Sequence, residues 1–335
     1  MTTSYERESI AIDVAPFVKR FAAINRGHVI FHSFFIFALS SALIVFGLLF
    51  SRFLQSIAIA LWLGGIFLTV FTYLVLLFYL QGRRPERLMQ LHDEFIQTAQ
   101  TAIVYPRETL EYHCCITEAI VHLMGQLRIS NTESRLIRAS QTLTYLVDKF
   151  LIWTRWKDLL KLKEMLLLTS IKEHILLIKR EPADLEAHCL LANNYISLAT
   201  LYQDPKKLAQ NAQLSWSPPE YESEQMRRKF EVALERALEE YYIIDAYAPD
   251  DPWVHAQRAA LYKELGRPDA EQNEYEQILK IDPQNGEILF RLGKLYFHKG
   301  ENARALKIYD ELRNIDTERA QELISHYDAY YVEAL

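Results

Sequence analysis

Two stretches without a formal charge limit what this chain can fold into. Val29 to Phe50 contains no Asp, Glu, Lys or Arg and a single histidine, His32; Ile57 to Leu80 contains none of these five residue types. Each run is longer than the roughly 20 apolar residues that a helix needs to cross a bilayer core. A buried helix of a water-soluble protein would show a polar stripe at this length, and neither run does. The fold expected from them is a transmembrane hairpin, with spans 29–50 and 57–80 inside a membrane segment 28–81. Only Ser51 to Ser56 separates the spans, which leaves room for a tight turn and no more. Lys19, Arg20 and Arg26 precede the first span, Arg83, Arg84 and Arg87 follow the second, and Arg52 alone occupies the turn. Basic flanks stay cytoplasmic, so both termini are expected on that side. Ser40, Ser41 and Gly47 on one span and Ala60, Gly64 and Gly65 on the other would let the two helices approach closely. No cleavage site follows the first run, so it reads as an anchor and not as a removable leader.

Residues 1–27 lead into the first span. Ile10, Ile12, Val14, Phe17, Val18, Phe21 and Ile24 alternate there with Lys19, Arg20 and Arg26. The pattern fits a short amphipathic helix lying in the membrane interface from about Pro16, or a partly ordered lead-in.

Charge divides the rest of the chain. Residues 183–335 hold 17 basic and 28 acidic side chains, a net of −11 within a chain total of −6. An acidic surface has no use for a phosphate backbone, which excludes nucleic acid as a partner. It favours basic partners instead. Three cysteines, two of them the neighbours Cys114 and Cys115, allow no disulfide framework and no four-cysteine zinc site.

Residues 82–183 read as a helical juxtamembrane region. Gly82 to Pro85 would end the membrane segment, and helices are expected over Arg87–Ala102, Arg107–Arg128, Thr132–Phe150 and Trp156–Lys179. Glu111, Cys115, Glu118 and His122 follow one another at spacings of four, three and four, so they share a helical stripe. They are the candidate metal ligands of the region, but the same residue types are ordinary on a solvated helix face. No second ligand cluster accompanies them, so no cofactor is expected.

The C-terminal part repeats itself. Tyr262, Gly266, Tyr275, Ile281 and Asp282 recur in the same order and at the same intervals as Tyr296, Gly300, Tyr309, Ile315 and Asp316. The period, about 34 residues, is the length of a stacked helix–turn–helix unit. With Pro252 and Gly286 as first positions, small residues (Ala259, Gly293) stand eighth and Tyr262 and Tyr296 eleventh. A further unit is split. Leu191-Ala192 and Tyr195 match its first helix, while Ala237, Tyr241 and Ile244 match its second, displaced by nearly a whole period. An insertion near 203–224, with Asp204-Pro205 and Ser217-Pro218-Pro219, accounts for the gap. A last helix, Glu318–Ala334, would cap the stack.

This register resembles the tetratricopeptide repeat superfamily. The resemblance implies a C-terminal α-solenoid over 184–335, so the chain is expected to be all-α, with the transmembrane hairpin and a cytoplasmic helical region ahead of that solenoid. It also implies a concave groove that binds a peptide or an amphipathic helix of another protein. The family's groove positions fall here on Asn193, Ile196, Trp253, Gln257, Lys263, Phe290, Arg291, Lys294 and Phe297. The carboxylate clamp of some members is not expected, because Cys189 and Glu287 stand where lysine would.

No phosphate-binding loop, dinucleotide fingerprint, HExxH or G-x-S-x-G sequence occurs, so an enzyme is not expected. The function read from the sequence is a membrane-tethered interaction scaffold or assembly factor, in contact with the bilayer and with other proteins. Its similarity to bacterial membrane-anchored repeat proteins implies an inner-membrane location. Two alternatives are a metal-dependent helical protein using the Glu111 stripe, and a host-facing inclusion-membrane protein of an intracellular bacterium, whose bilobed hairpin this one resembles.

Overall fold

Every regular element among the described residues is helical in the computed structural model, which describes residues 12–50, 56–127, 141–205 and 217–333. The hairpin turn with Arg52, the first residues of the lead-in, the helix start expected at Thr132 and the middle of the insertion lie outside them. The chain divides into two compact units: residues 1–177 with 203–226, and residues 178–202 with 227–335.

The first unit begins with two long helices, α1 (Ala15–Phe50) and α2 (Ser56–Ala102). Each is long and apolar enough to cross a membrane, and the apolar windows are 6 % and 0 % buried within the protein. Where they touch, aromatic rings make the contact. Phe31 stacks on Tyr73 with centroids 5.5 Å apart, and the Tyr73 hydroxyl lies 3.0 Å from Nδ1 of His32. The small-residue contact expected from the sequence does not form: a Cβ added at Gly47, Gly64 or Gly65 would meet nothing within 4 Å. Phe35 also meets Tyr73, with ring centroids 5.3 Å apart.

Both helices run on past the apolar runs. Pro85 lies inside α2 and does not end it, contrary to the break expected at Gly82–Pro85. An interior proline costs a helix about 3 kcal/mol. Beyond it Leu88, Leu91, Phe95, Ile96 and Ala99 are all buried. At roughly 1.5–3 kcal/mol for each large apolar side chain, that stripe outweighs the proline. It packs against the lead-in: Val14, Phe17 and Phe21 are buried in the same core, with Phe17 edge-on to Phe95 at 5.2 Å and Arg20 paired with Glu94. The described part of the lead-in is therefore the first turns of α1 inside a protein core, not a separate interfacial helix.

Two further helices complete this core. In α3 (Leu110–Gln126) the Thr109 hydroxyl caps the first turn by accepting from the Tyr112 amide. Tyr112, Ile116, Ala119, Ile120 and Leu123 form its buried stripe. The fourth helix, α4, is continuous over Gln141–Arg180, so the break expected before Trp156 is absent. No glycine or proline interrupts that stretch, and Leu159, Leu162 and Leu166 carry one buried face into the core. Polar side chains tie α4 to its neighbours: Thr117 to Ser170 at 2.8 Å, His92 to Thr169 at 2.9 Å, and His113 to Glu173 at 3.4 Å. The neighbouring His113 ring holds the Glu173 carboxyl below its usual range. A short 3-10 helix at Pro219–Glu222 places Tyr221 against Trp156, and burial pushes the Tyr221 hydroxyl up to about 12.

The second unit is a stack of helix pairs. They are α5 (Leu185–Tyr202) with α6 (Glu224–Tyr247), α7 (Pro252–Glu264) with α8 (Pro268–Ile281), and α9 (Gly286–His298) with α10 (Asn302–Ile315), closed by α11 (Thr317–Glu333). The helices α5 and α6 are separated in sequence by the insertion, and His188 of α5 meets Glu240 of α6 at 2.5 Å. Three equivalent side chains cap the first helices: Asp184 accepts from Ala187, Asp251 from Trp253 and Asn285 from Ile288. Gly266 and Gly300, one period apart, take φ of +64° and +75° between the helices of a pair. In both turns a reverse hydrogen bond closes the helix, from Arg267 N to Tyr262 O and from Glu301 N to Tyr296 O. Such a turn calls for a left-handed residue, which glycine supplies without strain. Close packing explains the eighth position: a Cβ at Gly293 would lie 2.6 Å from Leu323 of α11.

Candidate functional site

The repeats bring first helices side by side, and a recess of about 540 Å³ opens along α7 and α9. Its lining includes four of the residues singled out by sequence register: Lys263, Phe290, Arg291 and Lys294. Phe290 is half-buried, with the Lys294 ammonium 5.2 Å from its ring centroid. Arg291 is aligned by Glu287, whose carboxylate accepts from its Nε at 2.8 Å and pairs with Arg319 of α11 at 3.0 Å.

The second helix of the pair completes the recess with residues that register counting did not include. Arg267, Glu271 and Tyr275 stand on or just before α8. The family's groove positions lie on first helices alone, so register counting does not reach these three residues. Their sequence signal is modest, since Tyr275 is legible only as the repeated aromatic. The Tyr275 hydroxyl donates to Glu271 at 3.1 Å. Burial raises the Glu271 carboxyl above its usual range and pushes Tyr275 up to about 12, with the neighbouring Glu271 charge adding to the latter. Burial beside Lys294 lowers the His298 imidazole. Lys263, Arg267, Arg291 and Lys294 thus face two carboxylates, Glu271 and Glu287, and the recess is basic within a strongly acidic region.

The remaining register positions fare differently. Trp253 is 46 % exposed and edge-on to Tyr241, Asn193 is exposed, and Ile196 and Gln257 are half-buried. Phe297 is not available to a ligand. It is only 4 % exposed, because α11 lays Tyr327 against it at 5.6 Å. The candidate metal ligands do not gather: Glu111, Glu118 and His122 are exposed, whereas Cys115 packs against the core. Among the described residues no three His, Cys, Asp or Glu side chains are grouped as metal ligands.

Beneath the groove lies a polar seam with a period of its own. His255 sits 2.8 Å from Glu274 and 3.1 Å from the carbonyl of Pro249. One unit earlier, His188 sits 2.5 Å from Glu240 and 3.1 Å from the carbonyl of Pro182. The third unit has Leu289 in that place. Arg258 joins the seam, paired with Asp245 at 2.6 Å and Glu274 at 2.7 Å, and lying over the Tyr242 ring.

A stack of helix pairs, two of them turned by a left-handed glycine and the last face covered by α11, defines an α-solenoid of the interaction type. Tetratricopeptide repeat family models match residues 254–285 and 272–327. The repeats over 254–327 are thus of the tetratricopeptide type. Solved structures with similarity to the chain include a thermophilic tetratricopeptide repeat protein of Thermus thermophilus, at 18 % identity over 64 % of this chain and 98 % of that one, with a TM-score of 0.33. Others are the complex of the TPR2AB domain of yeast Sti1 with pHSP90, at 18 % identity over 75 % and 93 % with a TM-score of 0.26, and a repeat protein of Parabacteroides merdae, at 11 % over 73 % and 99 % with a TM-score of 0.25. No curated protein matches the sequence. The assignment of the repeats rests on the family models and on the register of helices, caps and glycines.

Proposed function

We propose that this protein is a membrane-anchored interaction scaffold whose repeat groove takes an acidic peptide or helix carrying an apolar side chain. The carrying observation is the recess along α7 and α9, where Lys263, Arg291 and Lys294 share the lining with Phe290 and the Lys294 ammonium lies over its ring. An apolar ring among four cations suits a segment with one large apolar anchor and flanking carboxylates. The net charge of the region favours basic partners at long range, but the groove itself carries the opposite sign. At contact distance local charge dominates, because fields of distant groups are screened within about 10 Å.

Anchoring is the second half of the proposal. Spans 29–50 and 57–80 seat in the bilayer as a hairpin, with lead-in, juxtamembrane helices and repeats on the cytoplasmic side of a bacterial inner membrane. What supports this is that both apolar windows are uncovered by the rest of the chain. Confinement to a surface raises the effective concentration of partners held there. The role is one of binding and not of catalysis.

The test is a titration of labelled acidic, neutral and basic peptides, each with a central Leu or Phe, against the full chain in nanodiscs. The acidic series is expected to bind, to weaken with salt, and to lose about tenfold or more in affinity in the variant Arg291→Glu with Lys294→Glu. Preference for the basic series, or equal binding by the variant, would refute the assignment of the groove.

A further inference from the structure

We propose that Glu271 is a proton-coupled gate of the groove: an acidic segment settles among the cations of the recess together with one proton, which Glu271 takes up from water. The proposal rests on the reading of the recess as a site for an acidic segment.

The recess combines exposed cations with a buried carboxylate. Lys263 of α7, Arg267 just before α8 and Arg291 of α9 are exposed along it, and Lys294 is half-buried. Glu271 and Tyr275 of α8 belong to the same lining but are only 7 % and 2 % exposed. A second carboxylate of α8, Glu274, is also buried, and the two are partnered differently. Glu274 faces the guanidinium of Arg258 at 2.7 Å and the ring of His255 at 2.8 Å. Glu271 accepts from a neutral hydroxyl, that of Tyr275, at 3.1 Å. Two of the recess cations have carboxylates of their own: Arg291 donates to Glu287 at 2.8 Å, and Arg267 pairs with Glu235 at 2.5 Å. Lys263 and Arg291 still act on Glu271 as nearby charges, but burial outweighs them and holds its carboxyl above the usual range.

An incoming carboxylate that seats among Lys263, Arg291 and Lys294 draws on the cations that act on Glu271 and adds a like charge beside it. Two carboxylates sharing one site do not both stay ionised, and the more desolvated one takes the proton. Glu271 is the enclosed one. The coupling is reciprocal: the ligand raises the proton affinity of Glu271, and the proton raises the affinity for the ligand. Binding therefore tightens as pH falls from neutral through the folded pKa of Glu271, and the gain is complete once the carboxyl is neutral. The other titrating groups of the lining are Glu287, Tyr275 and His298. Glu287 keeps its partners Arg291 and Arg319. The Tyr275 hydroxyl, pushed up to about 12, stays neutral throughout. His298, lowered by burial and by Lys294, would add charge in the same sense, so substitution has to separate it from Glu271.

The experiment is calorimetry on the full chain in nanodiscs, from neutral to mildly acidic pH, in pairs of buffers with different ionisation enthalpies. The probe is an end-blocked peptide with a central Leu flanked by cysteic acid, whose sulfonates stay charged over the whole range. The wild type is expected to gain about fivefold or more in affinity on acidification and to take up protons as it binds. Glu271→Gln should bind at neutral pH as tightly as the wild type does in mild acid, with the uptake at that site gone. His298→Gln should keep both the gain and the uptake. Should Glu271→Gln fail to fold, Tyr275→Phe replaces it: loss of the donor to the carboxylate is expected to move the inflection to higher pH, and an unmoved inflection overturns the proposal. Glu271→Gln that binds no tighter than wild type at neutral pH, or a pH dependence that vanishes with His298 and survives without Glu271, also overturns it. Loss of the peptide in Arg291→Glu with Lys294→Glu would then leave the groove itself standing. A wild type that holds neither this peptide nor its aspartate counterpart at any pH overturns the groove reading and the gate with it.

Discussion

Arg258 is 7 % exposed and lies between Asp245 and Glu274, with His255 against the same two carboxylates. Removing one partner from a buried ion cluster leaves uncompensated charge, which costs about 3–5 kcal/mol. Arg258→Ala is expected to lower the urea midpoint of the repeats accordingly. Arg258→Lys should recover only part of the loss, since an ammonium cannot serve two carboxylates as a planar fork does. Glu271 presents the opposite case. Its folded pKa is raised, so the folded state holds that proton more tightly than the unfolded state. The stabilisation is complete below the unfolded pKa and disappears as pH rises through the folded value. At neutral pH the buried carboxylate is thus a burden. Glu271→Gln, which keeps an acceptor for Tyr275, should raise the melting temperature there, and its advantage should shrink in mildly acidic buffer. An advantage that grew on acidification would contradict the assignment.

At the scale of the element, Phe17 separates two accounts of the lead-in. Its ring packs edge-on to Phe95 within a core shared by α1, α2, α3 and α4. Phe17→Ala is expected to cost about 3–5 kcal/mol and to raise amide exchange in α2 and α3 as well as in α1. An interfacial helix would change only its own exchange and its membrane partition. The same residues show where sequence reading works. The repeats were legible because period, small residues and turn glycines agree, and the split unit could be joined across its insertion by Ala192, Tyr195, Ala237 and Tyr241. Local signals failed where tertiary burial overrode them. Pro85 reads as a stop, but the stripe from Leu88 to Ala99 carries α2 through it. In the groove, Lys263, Phe290, Arg291 and Lys294 were readable from first-helix register. Glu271 and Arg267 were not, because their place in the recess depends on how a pair closes. Phe297 was assigned to the groove because the sequence does not say which face α11 would cover.

For the whole molecule the account is one of segregation. Apolar runs, a helical core near them and an acidic repeat stack follow one another along the chain, and the basic recess lining is set within that acidic stack. On the proposed reading, such a scaffold would hold its groove near a membrane and select by local, not net, charge. The most direct test places a photo-activatable benzophenone at Phe290 in the full chain and irradiates native membranes. The account predicts a protein adduct whose cross-linked segment is acidic and which disappears when Arg291→Glu and Lys294→Glu are added. An adduct that survives those substitutions, or cross-linking to a basic segment, would contradict it.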